Sequence, residues 1–181
     1  MIQNKVRIIG GEWRRRWINF PALEGLRPTP DRVRETLFNW LGQTLDGKTC
    51  LDLYAGSGAL GFEALSRGAA QVTLVERDRQ VLQALQANAQ TLGMSRLELL
   101  NADALQFLAR DQRRYDVIFL DPPFHKGFLP LLFPLLETRL NPDGLVYAES
   151  EQPLELGQGW QVWRQGRAGK VFYYLLMREA A

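Results

Sequence analysis

The sequence predicts an α/β fold: a mostly parallel, seven-stranded sheet with helices on both faces. A β-hairpin extends it at the N-terminus and an antiparallel hairpin closes it at the C-terminus. Three observations carry this reading. From residue 48 onward, apolar runs of strand length alternate with segments of helical period. Runs such as Val117-Ile118-Phe119-Leu120 are continuously apolar, as strands covered on both faces must be. Glycines and prolines punctuate the junctions.

Composition sets the limits. The chain has 181 residues, 46% hydrophobic and 23% charged, which suits one folded domain with a core of its own. One cysteine excludes an internal disulfide framework, and one histidine beside it makes a zinc site unexpected. No run approaches eighteen apolar residues, and Met1–Lys5 has no apolar stretch like that of a signal peptide. A cytoplasmic monomer with no metal and no membrane contact is expected. The net charge of +2 hides an asymmetry. Residues 1–34 hold eight bases and three acids, a net of +5, and the remainder carries −3. A basic lobe on a mildly acidic body fits a polyanionic partner met by one face. Scattered solvated arginines are the plainer alternative.

Each element follows from local pattern. Residues 5–9 and 13–20 read as strands around a Gly10-Gly11 turn. Pro21 to Pro30, with three prolines and Gly25, is a loop. Asp31 caps or opens a helix through Leu41, with Val33, Leu37, Phe38 and Leu41 at helical spacing. Strands are expected over 49–54, 71–76, 97–100, 115–120 and 144–149. Helices are expected over 60–66, 78–92, 104–109 and 127–138, the last interrupted by Pro130 and Pro134. Residues 160–164 and 170–177 form the closing hairpin.

The first of these strands ends in Asp52-Leu53-Tyr54-Ala55-Gly56-Ser57-Gly58-Ala59-Leu60-Gly61. Gly56, Gly58 and Gly61 satisfy a dinucleotide-type G-x-G-x-x-G turn, and Glu76 ends the next strand where a carboxylate can hold ribose hydroxyls. A dinucleotide site is therefore one reading. Asp52 favours another, because a carboxylate there repels a pyrophosphate and suits a ligand with a cationic amino-acid end. S-adenosyl-L-methionine (SAM) is such a ligand. Asp52-x-x-x-Gly56-x-Gly58 resembles the cofactor motif of Rossmann-like class I methyltransferases. That resemblance implies that Asp52 and the Gly56–Gly58 backbone face the methionine part and that Glu76 takes the ribose. It places Asp103 and Ala104 at the adenine, with Tyr54, Ser57, Arg77 and Asp121 completing the cofactor set. Asp103 is equally placed to cap a helix.

Asp121-Pro122-Pro123-Phe124 follows the fully apolar strand. The crevice of an open α/β sheet lies outside the carboxyl ends of its strands, so this loop and the Gly56 turn should share it. Asp121 and the Pro122 carbonyl can each accept one N–H of an exocyclic amine, while Phe124 stacks on the base. These four residues resemble motif IV of amino-directed nucleic-acid methyltransferases, which implies that Asp121, Pro122 and Phe124 are the catalytic group. Cys50 lies inside a strand and reads as core, which disfavours ring-carbon methylation through a cysteine adduct. His125 adjoins the motif and reads as a loop-surface residue.

The N-terminal third narrows the family. Arg7-Ile8-Ile9-Gly10-Gly11-Glu12-Trp13-Arg14 and Gly25-Leu26-Arg27-Pro28-Thr29-Pro30-Asp31-Arg32-Val33-Arg34-Glu35-Thr36-Leu37-Phe38-Asn39-Trp40-Leu41 closely resemble the bacterial 16S ribosomal RNA guanine-N2 methyltransferase family. This implies 16S rRNA within the small ribosomal subunit, or its late assembly intermediate, as the partner. It implies a basic recognition segment over 1–47, a SAM-binding catalytic domain over 48–181, and a 27–34 segment that closes over the cofactor and meets RNA. Arg7, Arg14, Arg15, Arg16, Arg27, Thr29, Arg32 and Arg34 are the candidate RNA contacts. Thr29 and Asp31 can alternatively cap the helix. Trp13 and Trp17 can stack on bases or pack against the body. Arg15-Arg16-Trp17 departs from the family's Gly-Arg-Lys, which leaves the turn geometry there open. An adenine-N6 methyltransferase and a non-catalytic RNA-binding assembly factor are the alternatives.

Overall fold

A computed structural model describes residues 3–124 and 126–180. The N-terminal hairpin pairs β1 (Gln3–Arg7) with β2 (Trp17–Pro21) antiparallel. Next come α1 (Asp31–Trp40), β3 (Thr49–Asp52), α2 (Ala59–Ser66), β4 (Gln71–Glu76) and α3 (Arg79–Leu92). The chain continues through β5 (Leu97–Asn101), α4 (Ala104–Arg110), β6 (Tyr115–Leu120), α5 (Phe128–Leu136), β7 (Leu140–Ser150), β8 (Trp160–Ala168) and β9 (Val171–Arg178). Strands β3 to β9 form one seven-stranded sheet in the order β5-β4-β3-β6-β7-β9-β8. Strands β3 to β7 run parallel, and β9 is antiparallel to both β7 and β8. This is the Rossmann-like class I methyltransferase fold. Its chain order reverses at β3, between β4 and β6, and such a reversal opens a crevice at the carboxyl ends of the strands.

Two apolar layers cover the sheet. On one face Leu51, Val75, Ile118, Leu120 and Val146 pack against α4 and α5. On the other, Cys50, Leu74, Phe119, Tyr147 and Leu175 pack against α2 and α3. Val6, Ile8, Ile18 and Phe20 of the hairpin join this second layer, as do Val33, Leu37 and Phe38 of α1. The N-terminal segment and the body therefore share one continuous layer of buried side chains. No helix among the described residues is long and apolar enough to cross a membrane.

The structure corrects several local expectations. Residues 13–16 are turn rather than strand, and β2 starts only at Trp17. The reason is that Trp13 and the residues ahead of it dock on α2, while Arg14 and Arg16 close local turns and Arg15 N–H donates to the Ile8 carbonyl at 2.9 Å. Ile9 and Gly10 amides donate to the Glu63 carboxylate at 2.9 Å each. Glu12 N–H donates to the Ser66 carbonyl at 2.8 Å and Trp13 N–H to Ser66 Oγ at 3.0 Å. Gly11 has φ +79°, and a Cβ there would sit 1.8 Å from the Ser66 carbonyl oxygen. The glycine pair thus serves close docking on α2 as well as the turn. Arg15 sits at φ +70°, the left-handed region. That is the position where the family's pattern carries glycine.

Asp31 opens α1 as its first residue and does not cap it. Pro30 is the N-cap, without a side-chain cap bond, and Asp31 pairs with Arg34. Strand β8 runs to Ala168, four residues beyond the expected end, and turns through Gly169 and Lys170 into β9. Strand β7 begins earlier, at Leu140, with a register shift opposite Tyr115 and Val117.

Candidate active site

Every parallel strand delivers a side chain to one cavity of about 850 Å³. Asp52 closes β3, Glu76 closes β4, Asp103 follows β5, Asp121 follows β6 and Glu149 lies one residue from the end of β7. Residues 23–30 form a further wall. Parallel packing aligns all five carboxyl ends on one edge, so residues distant in sequence converge there.

The cofactor-side candidates lie together. Gly58 is the N-cap of α2 at φ +84°, and a Cβ there would meet Phe62 and Leu85 at under 3 Å. Glycine lets the turn tighten so that the helix N-terminus faces the cavity. Ser57 is buried, and its Oγ accepts from Ala59 N–H at 3.2 Å. Glu76 accepts from Gly56 N–H at 2.9 Å through Oε2 and from Asp78 N–H at 3.0 Å through Oε1. Those bonds hold its carboxylate at the rim and leave lone pairs for a ligand. Asp103 caps α4 by accepting from Gln106 N–H at 3.1 Å while lining the cavity, so both readings of this residue coexist. Ala104 and the exposed Arg77 line the same wall. Tyr54 packs on Phe128 at 5.9 Å, and burial pushes its phenol up to about 12.

Asp52 is 1% exposed, and its Oδ1 has no hydrogen-bond partner among the described residues. Burial pushes its carboxyl up to about 7, against the opposing pull of the Gly61 and Tyr54 backbone. An orphaned buried acceptor on a cavity wall is costly unless a donor or cation arrives there. A cationic amino-acid group satisfies that need, so the donor set fits SAM.

Asp121, Pro122, Pro123 and Phe124 line the same cavity from the end of β6, the strand beside β3. The Asp121 carboxyl lies against that of Glu149. Burial, then the charge and hydrogen bond of Glu149, then Asp52, hold Asp121 well above the usual carboxylate range. Glu149 is itself 7% exposed. Its Oε1 accepts from Tyr147 Oη at 2.6 Å and from Thr29 Oγ1 at 3.1 Å. Glu149, Tyr147 and Val171 were not legible as site residues, because none belongs to a motif. A carboxylate at the end of a predicted inner strand was the one available signal. His125 lies outside the described residues. Cys50 is buried, and burial pushes its thiol up to about 12, as befits a core residue.

The basic candidates separate into two groups. Arg7, Arg14, Arg15, Arg16 and Arg32 are exposed, and Arg27 is exposed on the cavity wall. Arg34 is 0% exposed, which corrects its expected place among the RNA contacts. Its guanidinium donates to the Thr29 and Arg7 carbonyls at 2.9 Å each and to Glu63 at 3.4 Å, and it pairs with Asp31. Five donors in a fixed fork make arginine suited to such a junction. Thr29 is corrected likewise, since it is 5% exposed and bonded to Glu149. Trp13 is half-buried and donates Nε1–H to the Leu92 carbonyl at 2.7 Å. Trp17 is 50% exposed, with Lys5 4.9 Å above its ring.

Known proteins share this arrangement along nearly the whole chain. The protein family described as Conserved hypothetical protein 95 matches residues 6–177. Ribosomal RNA small subunit methyltransferase D of Escherichia coli K12 is 47% identical over 181 residues, covering 97% of this chain and 91% of its own. The chain belongs to this methyltransferase family. The Haemophilus influenzae member is 45% identical, covering 96% of this chain and 94% of its own. The solved structure of the yhhF protein from Escherichia coli superposes with a TM-score of 0.89 at 46% identity, covering 98% of this chain and all of that one. The family's shared length includes both the N-terminal hairpin and the closing β8–β9 pair.

Proposed function

We propose that this chain transfers a methyl group from SAM to the exocyclic N2 of a guanine in 16S rRNA, within the small ribosomal subunit or its late assembly intermediate. The observation that carries the reading is the convergence of two groups on one cavity. An orphaned Asp52 oxygen and the Gly56–Gly58 turn come from the end of β3, and Asp121-Pro122-Pro123-Phe124 from the end of the adjacent β6. Membership of the methyltransferase family supports it. A monomer acting in the cytoplasm, with no metal, completes the proposal.

When bound, SAM would supply a methyl group on a sulfonium: the amine nitrogen would bond the methyl carbon as the carbon–sulfur bond breaks, and the uncharged thioether would leave. Asp52 holds the cationic amino-acid end, and Glu76 holds the ribose hydroxyls. Asp103 and Ala104 line the adenine, with Tyr54, Ser57 and Arg77 bordering the same ligand. Asp121 and the Pro122 carbonyl each accept one N–H of the target amine, which aims the nitrogen lone pair. Phe124 stacks on the base. The same two acceptors stabilise the positive charge that develops on nitrogen, which then gives up one proton to water. Fixing donor and acceptor in line supplies much of the acceleration. Exposed Arg7, Arg14, Arg15, Arg16, Arg27 and Arg32 bind phosphates around the site.

The test offers tritiated SAM with unmethylated small subunits, naked 16S RNA and duplex DNA in parallel, followed by nucleoside analysis. Label in N2-methylguanosine from the small-subunit RNA is expected. Label in N6-methyladenosine, or none in guanosine, would overturn the reading.

A further inference from the structure

The β8–β9 hairpin carries a surface that the cavity does not use. Between Leu156 and Arg178 the sequence has no acidic residue and four bases, Arg164, Arg167, Lys170 and Arg178. Arg178 pairs with Glu137. Arg164, Arg167 and Lys170 form no ion pair among the described residues. Other surface arginines are neutralised locally: Arg113 by Glu98 and Asp111, Arg96 by Glu12.

Two aromatic stacks order these cations. A register shift between Val162 and Arg164 makes Trp163 an extra residue in β8. Such a bulge re-aims a side chain, and Trp163 is left 40% exposed. The Arg164 guanidinium lies 4.8 Å from its ring centre. Arg167 lies 4.9 Å from the Phe172 ring centre and donates Nε–H to the Gly169 carbonyl at 3.0 Å. Arg164 Nη1 also donates to the Trp163 carbonyl at 3.0 Å, and each guanidinium, held beside a ring, keeps further N–H groups for a phosphate.

Pairing register places this surface beside the cavity. Phe172 pairs with Ser150, next to Glu149, and Arg167 pairs with Phe172. Two strand spacings put the Arg167 backbone about 10 Å from that of Ser150. Val171, at the start of β9, lines the cavity itself. The basic N-terminal hairpin packs on α3, toward the β4–β5 side, whereas β8 is the opposite edge of the sheet. Unpaired positive charge therefore flanks the cavity on both sides.

We propose that the β8–β9 hairpin is a second RNA-contact surface, in which Arg164, Arg167 and Lys170 bind phosphates flanking the target nucleotide and Trp163 stacks on an unpaired base. The proposal rests on the rRNA reading above. A single-stranded polyanion needs this combination of cations and an open aromatic face. An added protein strand fits β8 poorly, because a bulge and projecting charges blunt an edge against strand pairing.

The test compares the full chain with Arg164→Glu/Arg167→Glu/Lys170→Glu, the milder triple glutamine variant, Trp163→Ala and Trp163→Phe. Calorimetry with SAM reports folding and cofactor binding, which should match wild type. For both triple variants, the slope of log affinity for naked 16S RNA against log salt should shrink by about 2 to 3. KM for RNA should rise at least ~10-fold with kcat within about twofold. Trp163→Ala should weaken RNA binding by roughly 10-fold with the slope unchanged, and Trp163→Phe should restore most of it. An unchanged slope and KM in a triple variant that still binds SAM would overturn the proposal. So would lost binding to assembled subunits with naked RNA bound normally, which would make the partner a protein. If the wild type itself labels no guanosine, the rRNA reading fails. If it does label guanosine and the variants behave alike, only the hairpin proposal fails.

Discussion

Thr29 and Glu149 meet across 120 residues of chain, the Thr29 hydroxyl donating to Glu149 Oε1 at 3.1 Å. The bond joins the proline-rich segment ahead of α1 to the end of β7, beside Asp121. It ties the wall formed by residues 23–30 to the strand edge that carries the chemistry. Replacing Thr29 by Val keeps its shape and removes the donor. Urea unfolding should show a loss of about 1 to 3 kcal/mol, the usual range for a buried bond to a charged group. A loss below about 0.3 kcal/mol would show the tie to be incidental.

Asp121 is held high by burial and by Glu149. Ionised, it accepts more strongly from an amine and better stabilises the charge that develops on nitrogen, so transfer should rise with pH as its proton leaves. Glu149→Gln removes the neighbouring charge and should move that acidic limb to lower pH. The profile of kcat/KM against pH tests this, and an unmoved limb would remove Glu149 from the control of Asp121. Asp121→Ala should leave SAM binding near normal while lowering single-turnover transfer at least ~100-fold, within the usual reach of preoriented hydrogen-bond partners. Near-wild-type turnover would refute its assigned role.

Asp52 has its carboxyl raised to about 7 in the free protein. A cationic ligand favours the ionised form, so SAM affinity should climb as pH rises toward about 7 and level off above it, with proton release on binding over the range where it climbs. Calorimetry in buffers of different ionisation enthalpy measures the proton. The sign for folding is opposite. A raised carboxyl stabilises the fold below its unfolded value near 4, and that contribution is lost as pH rises through about 7. Binding that is independent of pH between 6 and 8 would show that Asp52 does not meet the cation.

Arg34 and Arg16 look alike in sequence and differ in burial. Arg34→Met removes one of the two arginines on buried Glu63 and leaves two carbonyls without this donor, so stability should fall by about 3 to 5 kcal/mol. Arg16→Ala should change stability by under about 0.5 kcal/mol and weaken RNA binding instead. Denaturant titration beside RNA binding separates the two. Equal stability loss in both variants would contradict the burial difference.

Arg15 occupies φ +70°. Arg15→Gly should raise stability by about 1 kcal/mol, because the left-handed penalty of roughly 1–2 kcal/mol outweighs glycine's entropic cost of about 0.5–1. A lower melting temperature would show that the arginine side chain compensates its backbone.

Much of the fold and part of the site were legible because they are written locally. The run Val117 to Leu120 shows a two-face strand, and Gly56-Ser57-Gly58 shows the turn behind β3. The bounds of β4 came out as expected because polar residues and glycine frame its apolar run. What failed was nonlocal. Trp13 to Arg16 has strand composition, yet Trp13 N–H bonds to α2 and Arg14 and Arg16 close local turns. Arg34 sits in a basic run, and only the approach of Glu63 from α2 shows it to be buried.

Sequence alone determined the class of the sheet, the cofactor turn, the Asp121-Pro122-Pro123-Phe124 loop and the family, since each is encoded in contiguous residues. Only the tertiary structure decided which charges are free. It buried Arg34 and Thr29, left Arg164 and Arg167 unpaired at the opposite edge, and set Glu149 against Asp121. The reason is physical. A side chain's charge state and reach depend on the dielectric and partners around it, and those arrive from strands and helices tens of residues away.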